Sequence, residues 1–396
     1  MSKQPVRVSY VWCSGKDSHH DLRSKDKTLY LTAADAAKEP QALLDAGVFP
    51  EWNFDGSSTE QAKGLDTEIL VRPVKAYKNV LPSYAADVKR FIVLCECFLP
   101  SGQPTKDNYR FLARQVFAED KTNSKPWYGM EQEMVLVDIA TNWPLGWPSL
   151  GFPAPQGPYY CGNGSKAAGS LGRKYHDKFY ELALSMGLTI SGTNAEVLPS
   201  QWEYQVGPCE GIDIGDQMIM SRWLYLRLLE DEGIDVDFRA KPFPQGDWNG
   251  SGLHTNFSTE ATRAEGGIQA IYEYIDRLSK TVEIDVPFYG QDNNTRLTGA
   301  HETSRIDQFG FGVGTRGTSI RIPNQVNNEK KGYFEDRRPA ADADPYLVAA
   351  RLFASSLGLE ATCLEAVTKR FRRDWMPTPT PQSTPLGPAS GAKPSF

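Results

Sequence analysis

Apolar and polar residues alternate over many short segments of this chain, a pattern that predicts β-strands. Four of these segments precede residue 100, at 7–12, 28–32, 67–72 and 90–98. Polar or glycine-containing turns separate them, so we expect a small β-rich domain covering residues 1–100. The sequence PSGQPTKDN at 100–108 has the composition of a turn or linker and is expected to lead into a helix.

Apolar residues spaced three or four apart predict several helices beyond this point. The clearest stripe, within 267–283, comprises Ile268, Ile271, Tyr272, Ile275 and Leu278. The other predicted helices are 108–120, 173–186, 216–232 and 345–371, the last with Gly358 as a candidate break. Because strands and helices interleave there, residues 101–375 are expected to form a larger α+β domain. Residues 376–396 contain Pro, Ser, Thr and Gly without periodicity, so we expect a disordered tail.

Charged side chains share the polar faces of four predicted strands. In WYGMEQEMVLVD, Glu131 and Glu133 point to one side because successive side chains alternate along a strand. The polar faces of QWEYQV, LHTNFS and TSIRIP carry Glu203, His254 and Arg321, respectively. Taken singly, each strand is more typical of a solvent-exposed sheet face. Together, the carboxylates, imidazole and guanidinium favour a site for divalent cations and phosphate, because hard cations bind several oxygen ligands.

The bulk composition excludes several classes of protein. Lys and Arg number 43 and Asp and Glu number 49, so the net charge of −6 gives no strong field for nucleic acid or anionic membranes. The six cysteines include no CxxC pair of the kind that binds zinc. The start, MSKQPVRVSYVW, lacks the apolar stretch of a signal peptide, and no apolar run is long enough to span a membrane. We therefore expect a reduced, cytosolic setting.

Two further segments bring arginine close to acidic residues or glycines. KGYFEDRRP at 331–339 is typical of a surface charge cluster, but in an extended segment Glu335 and Arg337 share one face. An arginine fork there suits bidentate binding of carboxylate or phosphate, and Glu335 is a candidate metal ligand.

FGFGVGTRG matches the spacing of a dinucleotide-binding loop, yet a β-type segment follows it where that fold requires a helix. A flexible loop that brings Arg316 and Arg321 to anionic oxygens fits better.

Two loop motifs offer candidate chemistry of lower specificity. HETS places His301 beside Glu302 in a loop, where a mobile catalytic carboxylate can operate. WNFDGSST places Asp55 before a glycine–serine turn, where an Asx turn is the ordinary explanation. The remaining histidines, His19, His20 and His176, are expected at the surface. No Ser–His–Asp or Cys–His constellation, Walker motif or protein-kinase motif set is recognisable.

Eight motifs, in this order, resemble those of glutamine synthetase of the short, eukaryotic-type class (type II): WNFDGSST, WYGMEQE, GPYYCG, NAEVLPSQWEYQVGP, NGSGLHTNFST, NNTRLTGAHETS, RGTSIRIP and EKKGYFEDRRP. The similarity extends from about residue 6 to residue 375. It implies an α+β fold, with an N-terminal β-grasp domain and a larger catalytic domain whose curved antiparallel sheet is flanked by helices. It also implies a homo-oligomer, a decamer of two stacked pentameric rings with active sites between neighbouring subunits.

The resemblance further implies ATP-dependent ligation of ammonia to L-glutamate, the reaction of nitrogen assimilation. The γ-carboxylate of glutamate attacks ATP to give γ-glutamyl phosphate and ADP, and ammonia then displaces phosphate to form L-glutamine. Two or more Mg²⁺ or Mn²⁺ ions per site neutralise charge during phosphoryl transfer, and ATP is a co-substrate. The implied partners are glutamate, ammonium and ATP, with no nucleic acid and no membrane.

The family's motifs also assign roles to residues of this chain by their positions. One metal ion is expected at Glu133, Glu196 and Glu203, and another at Glu131, His254 and Glu335. ATP is expected at Trp127, Asn256, Ser258, Arg263, Arg321 and Tyr333. Glutamate, ammonium and the transferring phosphoryl group are expected at Tyr159, Asn249, Gly250, Arg296, Arg316 and Arg337. The implied catalytic residues are Asp55, which deprotonates ammonium in a neighbouring subunit's site, Glu302, which closes the site against water, Arg316 and Arg337.

The chain departs from the family pattern at two positions near these motifs. Glu68 stands where many relatives have Asp, and Met134 replaces a commoner tyrosine on the strand face opposite the ligands. Two other functions stay open at this point: a ligase of the same fold that joins glutamate to another amine, and a catalytically inactive assembly like the lens relative of the family. An altered ammonium pocket would indicate the first and lost metal ligands the second, and the sequence has neither feature.

Overall fold

The computed structural model describes residues 2–15, 21–148, 153, 156–164 and 171–371. The predicted tail, His19 and His20 lie outside the described residues. The strands are β1 (Lys3–Cys13), β2 (Leu22–Thr32), β3 (Trp52–Asp55), β4 (Glu68–Lys78), β5 (Lys89–Phe98), β6 (Trp127–Asp138), β7 (Trp143–Pro144), β8 (Ile190–Ala195), β9 (Gln201–Glu210), β10 (Ile234–Asp237), β11 (Leu253–Ser258), β12 (Phe311–Val313), β13 (Ile320–Ile322) and β14 (Phe334–Asp336). The α-helices are α1 (Ala33–Ala36), α2 (Pro40–Asp45), α3 (Tyr109–Ala118), α4 (Arg173–Met186), α5 (Asp213–Leu229), α6 (Glu260–Arg263), α7 (Ile268–Lys280), α8 (Val282–Asp285), α9 (Asn324–Glu329), α10 (Pro345–Leu357) and α11 (Thr362–Phe371). None of these described helices is both long and apolar enough to cross a membrane.

Strands β1 to β5 form a mixed sheet, the N-terminal sheet, in the order β2-β1-β5-β4-β3. β1 and β5 run parallel, with Val6 opposite Lys89, and the other pairs are antiparallel. Four of the strands coincide with predicted segments, whereas the four-residue β3 was not predicted. Both faces of the sheet are covered because β1 is apolar on both sides. Tyr10 packs in a small core with Leu43 of α2, and Val11 joins the main core of the protein.

The central sheet has the order β12-β13-β14-β11-β6-β9-β8, and β7 and β10 also pair with β6. Its pairs are antiparallel, as in the sheet that the family resemblance implies, with the single exception of the parallel pair β12 and β13 among the described strands. A three-residue strand is only about 10 Å long. The loop 314–319 is therefore long enough to return the chain to the same end of the sheet, which makes the two strands parallel.

The main core lies against one face of the central sheet. Met130 and Met134 of β6 and Trp202 and Tyr204 of β9 project into it, where helices α4, α5 and α10 pack. Helices α5 and α10 are buried over most of their length. Side chains alternate along a strand, so the charged residues between these apolar ones project from the opposite face.

The predicted helices are present, and the last one is divided as expected. The predicted helix 173–186 coincides with α4, and 267–283 contains α7. The predicted helix 345–371 is two helices, because Gly358 adopts φ 69° and caps the end of α10. A left-handed residue of this kind satisfies the last carbonyls of a helix and favours glycine.

His176 is fully buried in α4, so its predicted surface position is wrong. Its ring stacks on Trp202 with centroids 4.6 Å apart, and its Nδ1 lies 2.9 Å from the hydroxyl of Tyr225. Burial lowers the pKa of His176 to about 3. Its helical spacing from the buried Phe179 and Ala183 is the signal that would have placed it in the core.

His176 is expected to make the protein less stable as pH falls. An unfolded histidine has a pKa of about 6.5, so below that pH the unfolded state binds a proton that the folded state excludes. This linkage removes about 1.3 kcal/mol from the free energy of unfolding between pH 7 and pH 5.5. Unfolding measured across that range should show a smaller decrease for His176→Phe than for the wild type. Equal decreases in the two proteins would contradict the assignment.

Candidate active site

A charged cavity opens on the polar face of the central sheet, beside the glycine-rich loops that follow it. Among the residues that the structure describes, its charged lining consists of Glu131, Glu133, Glu196, Glu203, Glu302, Glu335, Arg296, Arg316, Arg321, Arg337, His254 and His301. The lining includes all six predicted metal ligands, and its four arginines were also predicted as site residues. Asn249 and Gly250, predicted to bind glutamate, also line the cavity.

Two acidic groups meet in this cavity, and each has the geometry of a metal site. The first acidic group is Glu131, His254 and Glu335, and the second is Glu133, Glu196 and Glu203. Within each group, one ligand atom of every residue lies within 4.8 Å of the others. The groups are adjacent, because Nδ1 of His254 lies 3.5 Å from Glu131 and 4.0 Å from Glu133. Their membership matches the grouping that the family resemblance implies.

The register of the central sheet brings these ligands together. Glu131 of β6 pairs with His254 of β11, and Glu133 of β6 pairs with Glu203 of β9. Directly paired residues have Cβ atoms about 5 Å apart on the same face of a sheet. A shift of one residue in either pairing would move the ligands of that strand to the apolar core. The site therefore depends on strand register more than on loop conformation.

Burial makes the negative charge of these carboxylates costly. Burial, followed by the charge of Glu131, raises the pKa of Glu203 well above its usual range. Burial and the charge of Glu196 raise the pKa of Glu133 to about 8. Burial also raises the pKa of Glu196. A divalent cation would supply the missing positive charge, and a set of five carboxylates and one imidazole fits a hard cation such as Mg²⁺ or Mn²⁺.

Two glycines allow Arg296 to approach the first acidic group. The guanidinium of Arg296 is buried and lies 2.9 Å from Nε2 of His254. A Cβ atom on Gly252 would lie 2.5 Å from this guanidinium, and one on Gly250 would lie 2.9 Å from Cγ of Arg296. Burial lowers the pKa of Arg296 to about 10, so the side chain stays cationic at neutral pH.

The segment KGYFEDRRP is not a surface charge cluster. Glu335 is 3% exposed and Arg337 is 9% exposed. Arg337 donates to Oε1 of Glu335 at 2.6 Å, and Arg321 donates to Oε2 at 3.2 Å. Arg316, on the glycine-rich loop, instead donates to Glu302 at 2.8 Å. Arginines thus surround the acidic groups, and their hydrogen bonds hold Glu335 in place.

A strip of residues leads from the first acidic group to the open end of β6 and β11. We call it the nucleotide strip, and it consists of Trp127, Asn256, Ser258, Arg263 and Tyr333. Asn256 and Ser258 lie on the same face of β11 as His254, and the strand covers about 13 Å from His254 to Ser258. Asn256 donates to Glu131 at 2.7 Å. Arg263 donates to Ser258 at 2.9 Å and stacks 4.0 Å from the ring centroid of Trp127.

Apart from the five residues of the nucleotide strip, which lie beside the cavity, two of the predicted residues do not line it. Asp55 is exposed at the end of β3, where it accepts hydrogen bonds from the backbone and hydroxyl of Ser57. Its local geometry is therefore the Asx turn, and it does not contribute to the site of its own chain. Tyr160 lines the cavity and Tyr159 does not. The sequence GPYYCG gives no period that distinguishes the two tyrosines.

Sequence reasoning also missed two polar residues, Asp247 and Gln156, at the mouth of the cavity. Asp247 lies 2.7 Å from Nε2 of His301, and Gln156 contacts both His301 and Asn249. The only sequence signal was that His301 precedes Glu302 in the HETS loop. Asp247 and Gln156 lie far from it along the chain, so no spacing rule connects them.

The fold and the cavity define an α+β enzyme whose site is built for divalent cations and anionic substrates. Comparison with known proteins narrows this class to one family. A model of "Glutamine synthetase, catalytic domain" matches residues 110–283. The chain is 47% identical over 356 residues to a glutamine synthetase of Tuber borchii, covering 90% of this chain and 93% of the relative.

Two further relatives show similar agreement. A glutamine synthetase of Emericella nidulans is 47% identical over 343 residues, which cover 87% of this chain and 90% of the relative. Glutamine synthetase root isozyme 3 of Zea mays is 43% identical over 355 residues, which cover 89% of this chain and 94% of the relative. The chain belongs to the glutamine synthetase family, whose members form glutamine from glutamate and ammonia with ATP.

Proposed function

We propose that this chain forms glutamine through γ-glutamyl phosphate in the cavity of the central sheet. The observation that carries the proposal is the meeting of two acidic groups with four arginines in one cavity. Carboxylates alone would repel ATP and glutamate, and arginines alone would not hold a divalent cation. Together they match a metal-bound nucleotide and an anionic amino acid.

Glutamate is proposed to bind at Asn249, Gly250 and Arg296. The buried guanidinium of Arg296 stays cationic and attracts a carboxylate. Its position is fixed by close packing against glycines, so it loses little conformational freedom when the substrate binds. These contacts support a subsite in which the γ-carboxylate is oriented for attack rather than merely held.

ATP is proposed to lie along the nucleotide strip with its phosphates toward the acidic groups. Mg²⁺ or Mn²⁺ bound at these groups would neutralise the charge that develops during phosphoryl transfer. Arg321 and Arg337 are already held beside that position by Glu335, and Arg316, which also lines the cavity, is held by Glu302. Such preorganised cations stabilise a transition state without reorganising when it forms.

Ammonium is proposed to bind near Glu203, Glu302 and a tyrosine of GPYYCG. Asp55 of a neighbouring subunit would complete this subsite, within a decamer of two stacked pentameric rings. Hydrogen bonds from Ser57 hold the pKa of Asp55 below its usual value, so its carboxylate carries the negative charge that attracts a cation. Ammonium has no lone pair, so it must pass a proton to this carboxylate before its nitrogen can attack the acyl phosphate. Because a carboxylate is a weaker base than ammonia, that transfer is unfavourable, and the attack that consumes ammonia draws it forward.

Glu302 is proposed to exclude water from the acyl phosphate. It lines the cavity from the HETS loop and accepts a hydrogen bond from Arg316, which lines the cavity from the glycine-rich loop. Hydrolysis of γ-glutamyl phosphate would waste ATP, so this closure favours ammonia over water as the nucleophile.

The domain organisation and location are also proposals. We propose an N-terminal domain of residues 1–100, because the N-terminal sheet ends at Phe98, and a catalytic domain of residues 101–375. Cytosolic glutamine synthetase isozymes of Oryza sativa and Chlamydomonas reinhardtii are among the relatives, at 42% and 45% identity. This similarity supports a cytoplasmic location for the chain.

The proposal predicts glutamine formation that requires ATP, glutamate, ammonium and a divalent cation. The purified protein should release one phosphate per glutamine, stop in EDTA and recover when Mg²⁺ is added in excess. Replacing ammonium with methylamine tests the alternative that the chain joins glutamate to another amine. Product from methylamine but not from ammonium would identify a ligase for another amine, and no product with either would overturn the proposal.

A further inference from the structure

The HETS loop has an unusual backbone at the two residues that carry its chemistry. His301 has φ 51° and Glu302 has φ 61°, and neither is glycine. Two consecutive side-chain-bearing residues in the left-handed region require support from surrounding contacts. The structure provides that support on both sides of the loop, since Glu302 binds Arg316 and His301 binds residues across the cavity mouth.

A chain of polar contacts joins His301 to the proposed glutamate subsite. Nε2 of His301 lies 2.7 Å from Asp247, and its Nδ1 lies 3.4 Å from the side-chain amide nitrogen of Gln156. The same nitrogen of Gln156 donates to Oδ1 of Asn249 at 2.8 Å. The side-chain oxygen of Gln156 accepts from the backbone N–H of Asn249 at 2.9 Å.

These contacts determine which atom donates and which atom accepts in each of these hydrogen bonds. The two hydrogens of the Gln156 amide serve Asn249 and His301, so Nδ1 of His301 accepts and Nε2 donates to Asp247. Neither contact with Gln156 uses the Nδ2 amide of Asn249, which is left to donate to a substrate carboxylate. Gln156 thus contacts both the HETS loop and the loop of residues 245–252, which we call the Asn249 loop, and Asp247 of that same loop makes a second, direct contact with His301.

We propose that Gln156 and His301 are positioning residues that couple closure of the Glu302 loop to glutamate binding at Asn249. The inference rests on the proposed function of the cavity. Glutamate that holds Asn249 in place also holds Gln156, which orders His301 and with it the neighbouring Glu302. Coupling is reciprocal, so a closed loop raises the affinity for glutamate by the same factor that glutamate favours closure.

The test compares Gln156→Met, which keeps the side-chain length but removes both hydrogen-bonding atoms, with Gln245→Met, the same change at an exposed glutamine of the loop that carries Asp247 and Asn249. Two quantities are measured: the KM for glutamate, and phosphate released per glutamine formed. Gln156→Met should raise the KM about tenfold and release phosphate in excess of glutamine. Gln245→Met should match the wild type in both. His301→Phe should also release excess phosphate, and His301→Gln, which can still accept and donate, should restore part of the loss.

The double variant Gln156→Met/His301→Phe separates coupling from two independent defects. It should be no worse than the more affected single variant, because both substitutions break the same chain of contacts. Additive effects, or a lower kcat with unchanged KM and one phosphate per glutamine, would overturn the proposal. A wild-type protein that forms no glutamine would instead overturn the proposed function, so the two failures are distinguishable.

Discussion

Glu335→Gln is expected to slow glutamine formation on the order of a thousandfold. Glu335 is a member of the first acidic group and accepts hydrogen bonds from both Arg321 and Arg337. The substitution keeps the shape of the side chain but removes its charge. It therefore weakens a cation site and releases two arginines that are proposed to face the transferring phosphoryl group.

The measurement is the kcat/KM for glutamate at saturating ATP and ammonium, with thermal unfolding as a check that the variant is folded. Glu273→Gln, on the exposed surface of α7, makes the same chemical change away from the cavity and should leave the rate unchanged. A Glu335→Gln protein that is folded and retains more than about a tenth of the wild-type rate would contradict the assignment.

Asp55→Asn is expected to remove nearly all glutamine formation while γ-glutamyl phosphate formation continues. The asparagine can still accept a hydrogen bond from the backbone of Ser57, so the turn is kept and only the charge is lost. Without that charge the ammonium subsite loses its attraction for the cation and its base. Asp45→Asn, an exposed carboxylate of α2, is the matched control.

Mixing subunits tests whether Asp55 acts in a neighbouring site. Asp55→Asn and Glu335→Gln proteins, dissociated together and reassembled in equal amounts, should regain about a quarter of the wild-type activity. One site in four then combines an intact Asp55 with an intact cavity from the adjacent chain. If mixing restores no activity, while a dissociated and reassembled wild-type control recovers, Asp55 does not serve a neighbouring subunit.

The polar face of the central sheet was predictable because strand periodicity is a local property. Glu131 and Glu133 had to share a face in any strand, and His254 had to oppose Leu253 and Phe257. What their spacing does not determine is which strands are neighbours, since register is set by long-range packing. The family resemblance supplied that grouping, and the pairing of Glu131 with His254 is the structural reason for it.

The residues that were missed depend on contacts between distant segments. Gln156 and Asp247 reach His301 only in the folded chain, and neither belongs to a periodic pattern. The prediction for His176 was wrong for a different reason. The residue type alone does not tell whether a histidine lies on the buried or the exposed face of a helix. Phe179 and Ala183, three and seven residues further along α4, mark the apolar face of the helix, and His176 lies on that face.

The most direct test of the central claim is to count divalent ions in the cavity. Metal-stripped protein titrated with Mn²⁺ in the presence of ADP, followed by electron paramagnetic resonance of the free ion, should bind two ions per chain at the acidic groups, beyond any carried by the nucleotide alone. Glu335→Gln and Glu196→Gln should each lose one of the two, because they belong to different groups. Equal binding by the wild type and both variants would contradict the account.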